Sequence, residues 1–180
     1  MHSTTRRTAL GTALAAAVTT LIPLPAFAIE ARLPSPGGGT LVMVVPDGWR
    51  QGSQRGKTPT MAFRPPADEA FLVLVSTFMP RTGPRTPAAL SKLMETMLAQ
   101  ARPQAVETNL AAQELRGAAV QGLYFTATDK APKAGEYKYI TQGAMLVKGG
   151  MPAVFTILTN DDSKAAVELA LRMFSTARRS

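Results

Sequence analysis

Cysteine is absent from this 180-residue chain, and histidine occurs once, at His2. The first absence excludes disulfides, thiolate nucleophiles and cysteine-ligated metal centres. The second leaves no imidazole beyond position 2 to act as general base, haem ligand or zinc ligand. Aromatic residues are scarce at 6%, Trp49 is the sole tryptophan, and no stretch interleaves aromatics with runs of Lys or Arg. Nucleic-acid binding is therefore not expected, although the chain is basic, with a formal net charge of +8. Long apolar runs are missing too. The stretch Ala9–Ile22 falls short of the roughly 20 residues that a helix needs to cross a bilayer.

What stands around that stretch explains it. Arg6 and Arg7 precede it, Pro23-Leu24-Pro25 breaks it, and Ala26-Phe27-Ala28 has the small-x-small pattern of a signal peptidase site. Residues 1–28 thus read as a cleavable signal peptide, which predicts a periplasmic or secreted protein. The adjacent arginines before a weakly apolar Ala/Thr-rich stretch also suit twin-arginine export, and the two routes stay open. With no cysteine after the apolar stretch, no lipoprotein anchor is expected. Removal of residues 1–28 takes away His2 and two arginines but no acid. The remainder stays basic, has no transmembrane segment, and is expected to be soluble. Its charge suits an acidic partner or an anionic surface.

Residues 29–39 read as a flexible N-terminal segment. Ile29–Leu33 alternates like an edge strand, and Pro34-Ser35-Pro36-Gly37-Gly38-Gly39 reads as a joint. Residues 40–180 then form one domain. Thr40–Val45 is β-rich and ends at the turn Pro46-Asp47-Gly48. Gln51–Thr58 is polar and reads as a loop. Thr60–Arg64 alternates, and Phe71–Met79 opens with an unbroken apolar run that predicts a central strand covered at least in part on both faces.

Thr86 suits an N-cap with Pro87 at the first helical position, and Leu90, Leu93, Met94, Met97, Leu98 and Ala101 recur on one helical face. Strand patterns resume over Val106–Glu114, Ala118–Thr128, Glu136–Val147 and Ala153–Thr159, the last two joined by a hairpin at Lys148-Gly149-Gly150-Met151. A second helix follows. Asp161 or Asp162 caps it, and Ala166, Val167, Ala170, Leu171 and Phe174 form its stripe. The order β-β-β-α-β-β-β-β-α, without βαβ alternation, predicts an α+β fold in which two main helices flank an antiparallel sheet.

That order, together with Leu41-Val42-Met43-Val44-Val45-Pro46-Asp47-Gly48-Trp49, resembles the PsbP/DcrB-like α/β/α sandwich family, whose first strand often runs into a Pro-x-Gly-Trp turn. Glu136-Tyr137-Lys138-Tyr139 and Phe155-Thr156-Ile157-Leu158-Thr159-Asn160-Asp161 add to the likeness with small exported bacterial proteins of this kind. The resemblance spans roughly residues 40–177. It implies a non-enzymatic accessory protein that binds other proteins through its sheet or loops, and it supplies no catalytic motif.

Two groups of residues are candidates for a binding surface. Trp49 is either an exposed interface anchor or a ring folded over the end of the sheet, with Asp47 serving the turn. Lys130, Lys133, Tyr137, Lys138 and Tyr139 form the richest polar–aromatic cluster, suited to an acidic partner or a headgroup. Their ordinary reading is tyrosines on a half-buried strand and lysines in a solvated loop. Asn160, Asp161 and Asp162 lack the spacing of a calcium loop, and helix capping explains them. Asp68-Glu69 reads as a solvated pair. No metal and no cofactor are expected.

The sequence therefore favours an exported binding or accessory protein that contacts a protein partner or the envelope surface, with no catalytic activity expected. Two alternatives stay open. One is a hydrolase-type enzyme using only Asp, Glu, Lys, Ser or Tyr; the other is a small-ligand carrier with a pocket between sheet and helix.

Overall fold

The computed structural model describes residues 29–54, 58–66, 70–78, 82–160 and 164–180. The candidate signal peptide, the Asp68-Glu69 pair and the Asp161/Asp162 cap lie outside the described residues. Five strands come first: β1 (Ile29–Pro34), β2 (Thr40–Val45), β3 (Arg50–Gln54), β4 (Thr60–Arg64) and β5 (Phe71–Thr77). Helix α1 (Pro87–Ala101) continues into a 3-10 turn, Arg102–Gln104. Next come β6 (Gln113–Gly117), β7 (Val120–Thr128), β8 (Tyr139–Val147) and β9 (Met151–Thr159), then α2 (Lys164–Ser175) and the short β10 (Arg178–Arg179).

The α+β class and the order of elements are those read from the sequence, with β1 formed over the stretch that alternates like an edge strand and β3 and β10 added. A seven-stranded antiparallel sheet runs β3-β4-β5-β9-β8-β7-β6, and a three-stranded sheet runs β1-β2-β10. Period-two alternation decides which face is which. On β5, Phe71, Val73, Val75 and Thr77 are buried, while Leu72, Leu74 and Ser76 are half-buried. On β9, Phe155, Ile157 and Thr159 pair with Val75, Val73 and Phe71 and share their face.

That inner face packs against α2 and the small sheet in one continuous core, to which Leu41, Met43, Phe63, Phe155, Met173 and Phe174 belong. Phe155 stacks on Phe174 of α2 at 4.1 Å between centroids. Phe155 also lies across its neighbour on β8, Gly143, where a Cβ would overlap the ring. Only glycine leaves room for the stack.

The outer face is covered differently. Thr86 caps α1 by accepting from Ala89 N–H at 3.2 Å, and Pro87 follows it as the sequence predicts. Met94 and Leu98 then pack with Phe125, Ala127, Ala105 and Leu110 as a second, smaller cluster over β7 and β8. The outward residues of β4, β5 and β9, among them Leu72, Leu74, Val154 and Leu158, stay half-buried. Over Phe71–Thr77 the expected cover on both faces is full on the inner face and partial on the outer one.

Other departures have local causes. The supposed joint closes a hairpin: Gly38 N–H donates to Ser35 O, Ser35 N–H donates to Gly39 O, and β1 pairs with β2 along its length. Strand β3 takes up the first four residues, Gln51–Gln54, of the segment read as a loop, since a polar edge strand needs only one partner and shows no apolar period. Glu136–Lys138 stands outside β8, because Glu136 N–H folds back to Lys133 O in a turn that includes Gly135 at φ +84°. Residues 106–112 are irregular, attached through Val106 N–H to Thr128 O and a bridge from Ala105 to Asp129. Among the described residues no helix is long and apolar enough to cross a membrane.

Candidate binding cleft

Helix α2 does not lie flat along its length. Ala170, Met173 and Phe174 near its C-terminal end are buried, whereas Ala166 and Val167 near its start are half-buried. Under that start is a cleft of about 340 Å³ between the helix and the inner face of β6–β9. Val167, Leu171 and Ile157 line it with apolar surface, and Tyr124 and Tyr139 add their rings.

The sheet side of the cleft carries hydroxyls where the rest of the inner face carries Phe, Val and Met. Thr126, Thr141 and Thr159 line it, the last two only 2% exposed. The hydroxyls of Thr126 and Thr141 are 2.8 Å apart and hydrogen-bonded to one another. Tyr124 Oη donates to Gln113 Oε1 at 3.0 Å, closing the β6 side. Lys164 and Glu168 stand on the helix side. Apolar walls with a few oriented hydroxyl and amide groups suit an amphipathic occupant.

The sequence candidates divide around this cleft. Tyr139 lines it, and Lys138 Nζ lies 5.3 Å from the Tyr139 ring centroid. Lys138 N–H donates to Asn160 Oδ1, which ties the start of β8 to the end of β9. Tyr137 is half-buried in the preceding loop and not on the strand face with Tyr139. Lys133 is exposed, its N–H donating to Glu136 Oε2. Lys130 points elsewhere and holds the fold together. Its N–H donates to Gln104 O and its Nζ to Pro103 O, binding the loop to the end of α1.

Trp49 is not an exposed anchor. It is 8% exposed and meets Phe71 edge-on, with centroids 5.7 Å apart and planes at 74°. Asp47 Oδ1 accepts from Gly48 N–H and serves the turn. Trp49 thus belongs to the core at the same end of the sheet, since Phe71 pairs with Thr159 and Thr159 with Tyr139.

The carboxyls whose proton affinity is displaced lie outside the cleft and have structural partners. Hydrogen bonds from Arg178 and Arg32 hold the Glu30 carboxyl below its usual range. Arg116 does the same for Glu114. At Glu107 burial opposes ionisation, yet bonds from the Thr128 N–H and hydroxyl outweigh it and the net displacement is downward.

Sequence reasoning missed Thr126, Thr141, Thr159, Val167 and Leu171 as a group. On β-strands Thr reads as an ordinary β-branched residue. The available signal was that the inward positions turn from Val, Met and Phe to Thr at one end of three neighbouring strands.

No family model and no curated protein matches the chain. Its fold recurs among solved structures, including the following two. A structure from Bacteroides thetaiotaomicron aligns with a TM-score of 0.54 at 14% identity, over 83% of this chain and 48% of that one. The chain therefore spans about half the length of that protein. LpqN of Mycobacterium tuberculosis, which is involved in cell envelope biogenesis, aligns with a TM-score of 0.51 at 15% identity, over 85% of this chain and 91% of its own. At such identities the likeness shows a common fold.

Proposed function

We propose that this chain is an exported, non-catalytic accessory protein of the cell envelope that works by binding, and that the cleft beneath α2 is its recognition site. The observation that carries the reading is the cleft, about 340 Å³, with apolar walls and hydroxyls gathered on one side. Its size falls in the range of small-molecule sites, roughly 300–1,000 Å³. The occupant is an amphipathic molecule whose apolar part lies against Ile157, Val167 and Leu171 and whose polar part meets the threonines. A periplasmic or secreted location follows from the pattern of residues 1–28. The fold shared with LpqN supports an envelope role, and the Pro46-Asp47-Gly48-Trp49 opening supports kinship with the PsbP/DcrB-like proteins.

A protein partner is the second reading, favoured by Tyr137 and Lys138 in the loop that leads into Tyr139 and by the exposed Lys133. One set of variants separates the two. Val167→Trp fills the cleft and leaves the loop intact; Tyr137→Ala spares the cleft lining. The amphipathic dye 1-anilinonaphthalene-8-sulfonate is expected to bind the wild type and to lose about tenfold in affinity in Val167→Trp, near 1.4 kcal/mol. Unchanged dye binding in a folded Val167→Trp variant rules the cleft out. If Tyr137→Ala instead abolishes capture of an envelope protein and Val167→Trp does not, the loop is the working surface.

A further inference from the structure

At the opposite end of the sheet from Tyr139, three segments meet: the β1–β2 turn, the β8–β9 turn and the chain leading into α1. Strand β8 has nine residues, which puts this end roughly 27 Å from Tyr139. A small cleft of about 50 Å³ lies among the three segments, lined by Gly37, Gly38, Gly149, Gly150, Arg85 and Arg179 together with other residues. Since a water occupies about 30 Å³ of liquid, the space suits one small oxyanion and little more. Gly38 and Gly149 have φ of +93° and +91°, a conformation that keeps side chains out of both turns.

The two arginines differ from the others around them. Arg32 and Arg178 pair with Glu30, and Arg116 pairs with Glu114. Among the described residues no carboxylate pairs with Arg85 or Arg179, and no Asp or Glu lines the cleft. Arg179 is nevertheless held in place. Its Nη1 donates to Gly149 O at 2.8 Å and its Nη2 to Gly38 O at 3.4 Å, so each turn positions the guanidinium. Those bonds engage two of its five N–H donors. A broader depression adjoins the cleft, sharing Arg85, Gly149 and Gly150 and adding Lys148, Leu146 and the β6–β7 turn. Lys148 brings a third cation without a carboxylate partner among the described residues.

We propose that Arg85 and Arg179, lining one cleft between two glycine turns, bind the phosphate group of an anionic ligand. Phosphate matches the guanidinium fork through paired N–H···O bonds, and a site preorganised by backbone carbonyls loses little side-chain freedom on binding. The adjoining depression leaves room for the rest of a phosphate-bearing molecule. Free phosphate and a lipid headgroup present the same group, and the test separates them.

Inorganic phosphate is titrated by calorimetry, and co-sedimentation is measured with vesicles of phosphatidylglycerol in phosphatidylcholine against pure phosphatidylcholine. At least one probe is expected to bind the wild type, with affinity about tenfold lower in Arg85→Gln and lower still in Arg85→Gln/Arg179→Lys, where position 179 keeps its charge but loses the fork. The pair Arg102→Gln/Arg172→Gln, which removes charge elsewhere on the surface, is expected to stay within about twofold. Phosphate binding without vesicle binding identifies a free anion, and the reverse identifies a headgroup. Arg85 is exposed and takes no part in the bonds that hold the two turns, so Arg85→Gln keeps the test decisive if Arg179→Lys disturbs them. Absence of binding by both probes, or equal losses in Arg85→Gln and the control pair, overturns the proposal.

Discussion

The two faces of the seven-stranded sheet are closed by different means. The inner face meets a helix and a second sheet in one apolar core, with Phe155 wedged between Gly143 and Phe174. The outer face has one helix over β7 and β8, and polar links hold its border. Antiparallel sheets tolerate this asymmetry because each strand alternates faces and only one needs full cover. The difference teaches where stability and function separate. The inner face supplies the core, and its α2 cleft opens where the helix lifts away at the sheet's threonine end.

Truncation of one large ring on each face should break or confirm that contrast. Phe174 is fully buried, stacked on Phe155 within the main core that Met173 and the small sheet share. Phe174→Ala is expected to cost about 5 kcal/mol, the upper end for such a change. Phe125 is 1% exposed but borders a cleft of about 240 Å³ beside the end of α1, so its surroundings and water can relax into the gap. Phe125→Ala is expected to cost about 3 kcal/mol. Urea unfolding of the two variants measures both; equal losses would mean that the outer cluster is packed as tightly as the inner one.

Much of the fold was legible in the sequence. The apolar run from Phe71, the strand Ala153–Thr159 returning from its hairpin, the Thr86-Pro87 cap and the stripe Ala166–Phe174 each reflect a local rule that tertiary structure then obeys. The cleft was not legible, because it depends on the path of α2 above the sheet and not on any single segment's pattern. Tyr139 was found through its chemistry, while Trp49 shows the limit of that route: a lone tryptophan after a turn reads alike whether it faces solvent or Phe71. The anion cleft was hidden for a related reason. Arg85 and Arg179 are far apart in sequence, and only the meeting of two hairpin turns places them together.

The border of the outer face offers a smaller and pH-dependent effect. Glu107 accepts from Thr128 N–H at 2.9 Å and from the Thr128 hydroxyl at 2.7 Å, fastening residues 105–107 to the end of β7. Burial disfavours the charge, these bonds favour it, and the carboxyl ends below its usual value. A carboxyl depressed in the folded state adds stability that is fully present above the unfolded value, near pH 4.3, and is lost as pH falls through the folded one. Glu107→Gln is expected to cost about 1 kcal/mol at pH 7, below the usual range for bonds to charge because the group is only half-buried. The gap to wild type should narrow below about pH 4. A gap that stays constant from pH 7 to pH 3 would show that the carboxylate charge does not fasten this border.

The smallest effect tests the bare part of the outer face itself. Leu74 and Leu158 project from β5 and β9 on the side away from α2, and both are half-buried by their strand neighbours. Leu72 pairs with Leu158 and Leu74 with Thr156, so apolar and hydroxyl side chains already alternate across this surface. Leu74→Thr or Leu158→Thr removes apolar area that folding only partly withdraws from water, and threonine's own preference for strands offsets part of that loss. Each is expected to cost about 0.5 kcal/mol, read as a small shift of the urea midpoint with no change in slope. The slope matters as much as the midpoint, since it reports the surface exposed on unfolding. A cost above about 2 kcal/mol would place these leucines in a fully buried class. The outer face would then be covered in solution, by another part of the chain or by a second copy, and the asymmetry between the two faces would disappear.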